Sequence, residues 1–412
     1  MFTKFDCRFV VSLAVFLYMT MPSAWSASYK ALFPFSGNNG SAPVAGLLFD
    51  ATGNAYGATE GGGPDGKGEV FQLSPSSGFH IIYAFHGKDG YGPKGSLVMD
   101  STGNLYGTTY AGGGSRNCLG GCGTVFKLTP PVNGGRWTET VLYAFSGGGD
   151  GKYPFDSVVL DQAGNVYGTT QHGGTFDQGV IFQLTPTPSG WTENVLNNFA
   201  CCDDGALPQG GMVADTSGNL FGMATYGGSE NGGIIFELTS KGNGGWSYNV
   251  IYTFGVTPDD GTTPTGNLVF DDSGNLYGTT FYGGVSGCVG HQGCGTVFEM
   301  TQDQGTWQET IIHNFDGVDG QGPLAAVVLD GSGNLYGTTF FGGQGVGNVF
   351  ELVRPIPGQE WTERSFGFPS DAHLGQYPES TVSFDSVGRL YGTTFSGGPN
   401  GTNDGVIFRI TP

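Results

Sequence analysis

The residues with the most chemical promise recur at one place in a repeated pattern, just after a Thr-Thr pair or its equivalent. They are Glu60-Gly61, Tyr110-Ala111, Gln171-His172, Thr225-Tyr226, Phe281-Tyr282, Phe340-Phe341 and Phe395-Ser396. Aromatic faces stack on the apolar faces of sugar rings while polar neighbours bond the hydroxyls, so this set reads as a carbohydrate-binding surface. Tyr110, His172, Tyr226, Tyr282, Phe341 and Glu60 are its candidate ligand contacts, whereas Phe281, Phe340 and Phe395, which share one repeat position, read as packing between units. Catalysis has a thinner basis. Acid–base chemistry on a glycoside needs two placed carboxylates, and the acids that depart from the pattern here are Glu60, Asp203, Asp259 and Glu230, with His172 as a candidate general base. No motif joins them, and the sequence holds no nucleophile elbow, phosphate loop or zinc-protease helix. No catalytic residue is therefore assigned.

A second pattern, Asp-Gly-x-x-Pro, brings carboxylates at Asp89-Gly90, Asp150-Gly151, Asp204-Gly205, Asp260-Gly261 and Asp319-Gly320. Calcium needs about six to eight oxygens, and each loop offers one or two carboxylates without the alternating spacing of a calcium loop. Turn chemistry is the stronger reading, and no cofactor is expected. Calcium at the doubled acids Asp203-Asp204 and Asp259-Asp260 stays as the alternative. Cys288 and Cys294 flank His291 in a zinc-like set, but a fourth ligand is not evident, so no metal site is assigned. Disulfides are expected instead: Cys118 with Cys122, Cys288 with Cys294, and Cys201 and Cys202 either with each other or elsewhere.

Positioning these residues falls to a unit whose aromatic centre recurs at Tyr56, Tyr106, Tyr167, Phe221, Tyr277, Tyr336 and Tyr391, at spacings of 50 to 61 residues. That is room for four short strands and their turns. Gly266-Asn267-Leu268-Val269-Phe270-Asp271 reads as a strand (a) buried on both faces, and Asp271-Asp272-Ser273-Gly274-Asn275 as a tight turn. Strand b is Leu276-Tyr277-Gly278-Thr279-Thr280, where Gly278 is expected to let another backbone come close. Strand c follows at Thr296–Met300, and strand d begins near tryptophan, as in Trp137 to Phe145. Trp137, Trp191, Trp246, Trp307 and Trp361 all hold that one repeat position, which makes them packing residues.

Seven such units with no helical stretch predict an all-β fold, a single seven-bladed β-propeller of four-stranded antiparallel blades over residues 27–412. The last unit lacks a strand d. Residues 29–35 match that strand and are predicted to complete blade seven, removing an open edge. In this topology the b-to-c and d-to-a loops share one face, which collects the variable residues.

Lys4 and Arg8, the apolar run Phe9 to Met19 and the small residues Ala24 and Ser26 read as a signal peptide over residues 1–26. A secreted chain, extracellular or periplasmic, is the expectation, with no membrane insertion because no later run reaches the length of a span. A net charge of −20 argues against nucleic acid or anionic lipid as partner. A glycan or an extracellular protein remains.

The units Gly-Asn-Leu-Tyr-Gly-Thr-Thr-x-x-Gly-Gly followed by Gly-Thr-Val-Phe resemble the GloVer tandem repeat of "choice-of-anchor" bacterial surface and secreted proteins. All seven copies keep the aromatic-Gly core, with Met223-Ala224 replacing Thr-Thr in the fourth and Arg389 replacing Asn in the seventh. The resemblance implies a bacterial exported protein and brings no general activity with it. Family members often carry C-terminal anchors, and this sequence departs from them by ending at Pro412. The Asp-x-x-Gly-Asn-Leu-Tyr core also resembles repeats of sensor-type and lactonase-type propellers, without their metal ligands. The expected function is a secreted binding or scaffold module for carbohydrate or protein on the variable face. The alternative is a carbohydrate-acting enzyme of lyase, hydrolase or lactonase type using the same face.

Overall fold

The computed structural model describes residues 27–411, apart from 133, 243, 285–287, 289–291, 357, 370 and 399–402. The expected signal peptide lies outside the described residues. Within them the strands form seven antiparallel sheets arranged as the blades of a propeller. Blade two is representative: strand a is Val98–Met99, b is Leu105–Thr109, c is Thr124–Thr129 and d is Thr138–Ala144. In blade five an added strand, Gly261–Pro264, pairs with the extended strand b, Leu276–Gly283. Strand a is shorter than its apolar run suggests. In blade five it is Val269–Phe270, half-buried, because the preceding Thr265, Gly266 and Asn267 turn to line a cavity instead of pairing.

The ring closes as the repeat count requires. Ser28–Pro34 lies antiparallel to Val406–Thr411 as the outer strand of blade seven, joining the two ends of the chain in one sheet. The Tyr29 ring then stacks on Phe408 and meets Phe368 edge-on, at 5.9 and 5.6 Å between centroids.

Each conserved feature of the unit has a local cause. Asp271 Oδ1 accepts the amides of Ser273 and Asn275 at 2.8 and 2.9 Å, and the Tyr277 hydroxyl donates to Oδ2. The same cage surrounds Asp100: burial pushes its carboxyl up, but the donors of Asn104 and Thr102 outweigh it and hold the group at about 2. Gly278 makes room for a ring and not for a backbone, which corrects the sequence expectation. A Cβ there would meet Phe298 Cζ, on strand c, at 2.5 Å. The two threonines do separate jobs. Thr279 donates across to the Ala325 carbonyl of the next blade at 3.0 Å, and Thr280 donates to the Tyr282 carbonyl of its own blade at 2.8 Å. Tryptophans pack as expected, Trp137, Trp246, Trp307 and Trp361 each lying edge-on to the motif aromatic of the preceding blade, as Trp246 on Tyr167 and Trp307 on Phe221 at 5.7 and 5.8 Å.

Candidate functional site

The chain leaving each strand b is tied to the chain approaching strand a of the same blade. Bridges join Ala111 to Tyr91, His172 to Lys152, Tyr226 to Ala206 and Phe341 to Gln321. This fixes the b-to-c and d-to-a loops on one face. Strand-b threonines hold the exit further: Thr170 donates to the His172 carbonyl and Thr339 to the Phe341 carbonyl, both at 2.9 Å. Ala224 stands in that place before Tyr226 and offers no such bond.

The candidate contacts separate into two groups around the rim. On blades four to six, Tyr226 and Tyr282 line a groove of about 700 Å³ with Glu230, Asp259, Thr262 and Gln292. Tyr282 also lines a second groove of about 520 Å³ with Phe281, Phe341 and Gln321, so the two grooves share one ring. Tyr226 and Phe341 keep 39% and 38% of their surface exposed, which leaves ring faces open to a ligand. The packing expectation holds for two of the three phenylalanines. Phe340 stacks on Tyr377 of blade seven at 5.1 Å, and Phe281 lies over Gly322, where a Cβ would come within 2.8 Å of its ring. Phe395 stays 37% exposed, because blade one presents only Ala42 at the position of Tyr377.

On blades one to three the groups are engaged with one another. Lys94 Nζ is 2.9 Å from Glu60 Oε1 and lies over the rings of Tyr110 and Phe155 at 5.2 and 5.1 Å. Tyr110 stacks on Tyr153 at 4.8 Å, and Tyr153 meets His172 edge-on at 6.1 Å. The His172 Nδ1 lies 3.3 Å from the Asp177 carbonyl. Glu60 and His172 are thus held apart by Tyr110 and Tyr153, and the axial cavity that takes Glu60 does not include His172.

That cavity, of about 140 Å³, is lined from all seven blades and so lies on the ring axis. Beside Glu60, its polar lining includes Lys94, Asp156, Gln209, Asn267 and Glu379, none of which the sequence singled out as a site residue. A signal was present. The residue after the proline of Asp-Gly-x-x-Pro and its variants is Val44, Lys94, Phe155, Gln209, Thr265, Leu324 or Glu379, the least repetitive position of the unit. Burial pushes the Glu379 carboxyl up to about 7, Lys94 pulling it down and Glu60 adding to the rise.

The acids of the Asp-Gly loops act as turn acceptors. Asp260 Oδ2 takes the amides of Gly255 and Val256 at 2.7 and 3.2 Å, and Asp204 Oδ1 takes that of Ala200 at 2.9 Å. Among the described residues no three His, Cys, Asp or Glu side chains are grouped to hold a metal ion, and His291 lies outside them. Cys118–Cys122 and Cys288–Cys294 are bonded as expected. Cys201 and Cys202 are not, which corrects the expectation that both enter disulfides: their sulfurs stand 3.2 Å apart as free thiols. Neighbouring Cα atoms across a trans peptide are only about 3.8 Å apart, short of the about 4.4–6.8 Å that a relaxed disulfide spans.

Fold and face together define a closed repeat propeller whose variability is gathered at one rim. The chain belongs to the Gloeobacter/Verrucomicrobia repeat family, whose model matches residues 17–200, 115–290 and 286–412. No curated protein matches it by sequence. Among solved structures it is similar to an ulvan lyase from a new polysaccharide lyase family, at 10% identity and a TM-score of 0.54, covering 92% of this chain and 95% of that one. It is also similar to a candidate 6-phosphogluconolactonase of Bacteroides uniformis, at 14% identity and a TM-score of 0.51, covering 80% and 84%. At these identities the likeness is one of fold.

Proposed function

We propose that this chain is an exported carbohydrate-binding propeller that holds a glycan along the rim of blades four to six. The observation that carries the reading is the run Tyr226, Tyr282 and Phe341 on one face, the outer two exposed and Tyr282 half-buried between them, in two grooves that share Tyr282. Stacking on such rings needs no charge on the sugar, and Glu230, Asp259, Gln292 and Gln321 supply acceptors and donors for hydroxyls beside them. A carbohydrate-acting enzyme on this face has less support, since Glu60 and His172 share no pocket.

The test is a screen of residues 27–412 against immobilised polysaccharides, repeated with Tyr226, Tyr282 and Phe341 all changed to alanine. Each ring is worth about 0.5–1.5 kcal/mol, so the triple variant loses at least about tenfold in affinity for any glycan retained. Undiminished binding by the triple variant, with its melting unchanged, contradicts the proposal.

A further inference from the structure

The axial cavity asks for a ligand of different character from the rim. Its charges are few and their partners identifiable. Lys94 is neutralised by Glu60 at 2.9 Å. Asp156 departs from its repeat position, where the other blades carry Ala45, Gly95, Gly210, Gly266, Ala325 and Ser380, and its carboxylate accepts the amides of Ser157 and Gly211. Asn267 is engaged too, its carbonyl with Gly211 and its amide with Ser157 at 3.1 Å. Glu379 is the exception. Among the described residues no group hydrogen-bonds its carboxyl, although it lines the cavity. Glu379 is half-buried, and a carboxyl on a cavity wall without a protein donor is open to a ligand that brings donors.

The balance of charge selects the donor. With Lys94 and Glu60 paired, Asp156 and Glu379 are the remaining acidic groups; burial pushes both carboxyls up, so an incoming cation favours their ionised forms, and the chain as a whole carries −20, which draws cations and repels anions. An ammonium supplies three donors and no acceptor. About 140 Å³ is well below the about 300–1,000 Å³ of pockets for larger ligands, so only a small group or the end of a chain enters. Gln209, Thr265 and Asn267 on the wall suit a hydroxylated carrier over an alkyl one.

We propose that the axial cavity is a second ligand site, taking a primary ammonium carried on a single hydroxylated ring, the chemistry of an amino sugar, with Glu379 as its counter-ion. The ammonium is argued from the cavity alone, and only the sugar carrier rests on the carbohydrate reading of the rim. Groups facing Glu379 are Lys94, which lowers its proton affinity, Glu60, which raises it, and Asp156 further along the cavity. With Glu379 titrating near 7, an incoming cation must displace a proton from it below that pH.

Isothermal titration of residues 27–412 with glucosamine, N-acetylglucosamine and butylamine tests this. Glucosamine is expected to bind, and its acetylated form, with the same ring and no charge, at least about tenfold more weakly. Affinity for glucosamine should rise about tenfold from about pH 5.5 to about pH 7 as Glu379 ionises, with a proton released to the buffer. Glu379→Gln should lose at least about tenfold and flatten the pH profile, while Lys94→Met, which removes the competing cation, should bind several-fold tighter. That opposite sign separates the proposal from a damaged fold. The rim variant lacking Tyr226, Tyr282 and Phe341 should bind glucosamine as the parent does, so failure of the rim reading leaves this result standing. Equal binding of the acetylated sugar, no glucosamine binding, or weakening in both Glu379→Gln and Lys94→Met overturns the proposal. Butylamine binding as tightly as glucosamine overturns the sugar carrier.

Discussion

Changing Gly278 to alanine places a methyl group 2.5 Å from Phe298 Cζ and 3.0 Å from Leu268 Cδ2. Carbon atoms rest at about 3.5–4.0 Å, so the ring must retreat by about 1 Å. It has nowhere to go: Phe298 is fully buried and meets Phe254 edge-on at 5.2 Å. Overpacking of this kind costs about 1–3 kcal/mol, offset by the about 0.5–1 kcal/mol that alanine gains over glycine in backbone entropy, for a net loss of up to about 2.5 kcal/mol. Phe298→Leu alone also destabilises, by less than the about 3–5 kcal/mol of a Phe→Ala truncation. Combined, the two changes answer each other, because the shorter side chain vacates the space that the new methyl fills. Guanidinium unfolding of parent, single and double variants should therefore give a coupling of about 1 kcal/mol or more in favour of the pair. Additivity within about 0.5 kcal/mol would refute the claim that this glycine exists to admit the strand-c ring. The same contact recurs in every blade, from Gly57 against Phe71 to Gly392 against Phe408, so blade five stands for the unit.

Three further outcomes follow from the fold. Removal of residues 27–36 takes away the outer strand of blade seven and the fully buried Phe35, itself worth about 3–5 kcal/mol; the melting temperature should drop and the exposed edge of Val406–Thr411 should promote aggregation, both readable by light scattering during a thermal scan. Thr279→Val keeps the shape but deletes the bond to the Ala325 carbonyl, leaving that buried acceptor unmet, and should cost about 1–3 kcal/mol by denaturant unfolding. Burial, with the neighbouring loop carboxylate adding, pushes the carboxyls of Glu139, Glu193, Glu309 and Glu363 up to about 7. Because the unfolded value is about 4.3, the folded protein binds more protons between those limits and stability falls as pH rises through them. Melting at about pH 5 should exceed that at about pH 8, and glutamine at all four positions should narrow the difference.

Legibility in the sequence followed the distance over which each interaction acts. The Asp-x-x-Gly-Asn-Leu-Tyr core declares itself because its bonds close within seven residues, Asp271 to Tyr277, and repetition then supplies the blade count. Closure by residues 29–35 was readable for a similar reason, since a missing strand d at one end matched a spare one at the other. The partner of Gly278 is not legible in the sequence, since a ring from strand c and an approaching backbone leave the same mark, a glycine repeated in every unit. The outer glutamates were invisible as a group: Glu139 owes its shift to burial and to Asp89 of the preceding blade, a neighbour that only ring assembly provides. Axial residues such as Glu379 and Lys94 stood in plain view as departures after the proline, but that position converges on one cavity only once seven blades surround it. Cys201 and Cys202 show the limit of counting cysteines, since adjacency itself opposes the bond.

Hydrogen–deuterium exchange of residues 27–412, with and without a polysaccharide retained in the screen, locates the bound ligand directly. Protection confined to the loops around Tyr226, Asp259–Thr263, Tyr282 and Phe341 is the predicted result. Protection of the outer d strands, or of the opposite face with these loops unchanged, would contradict it.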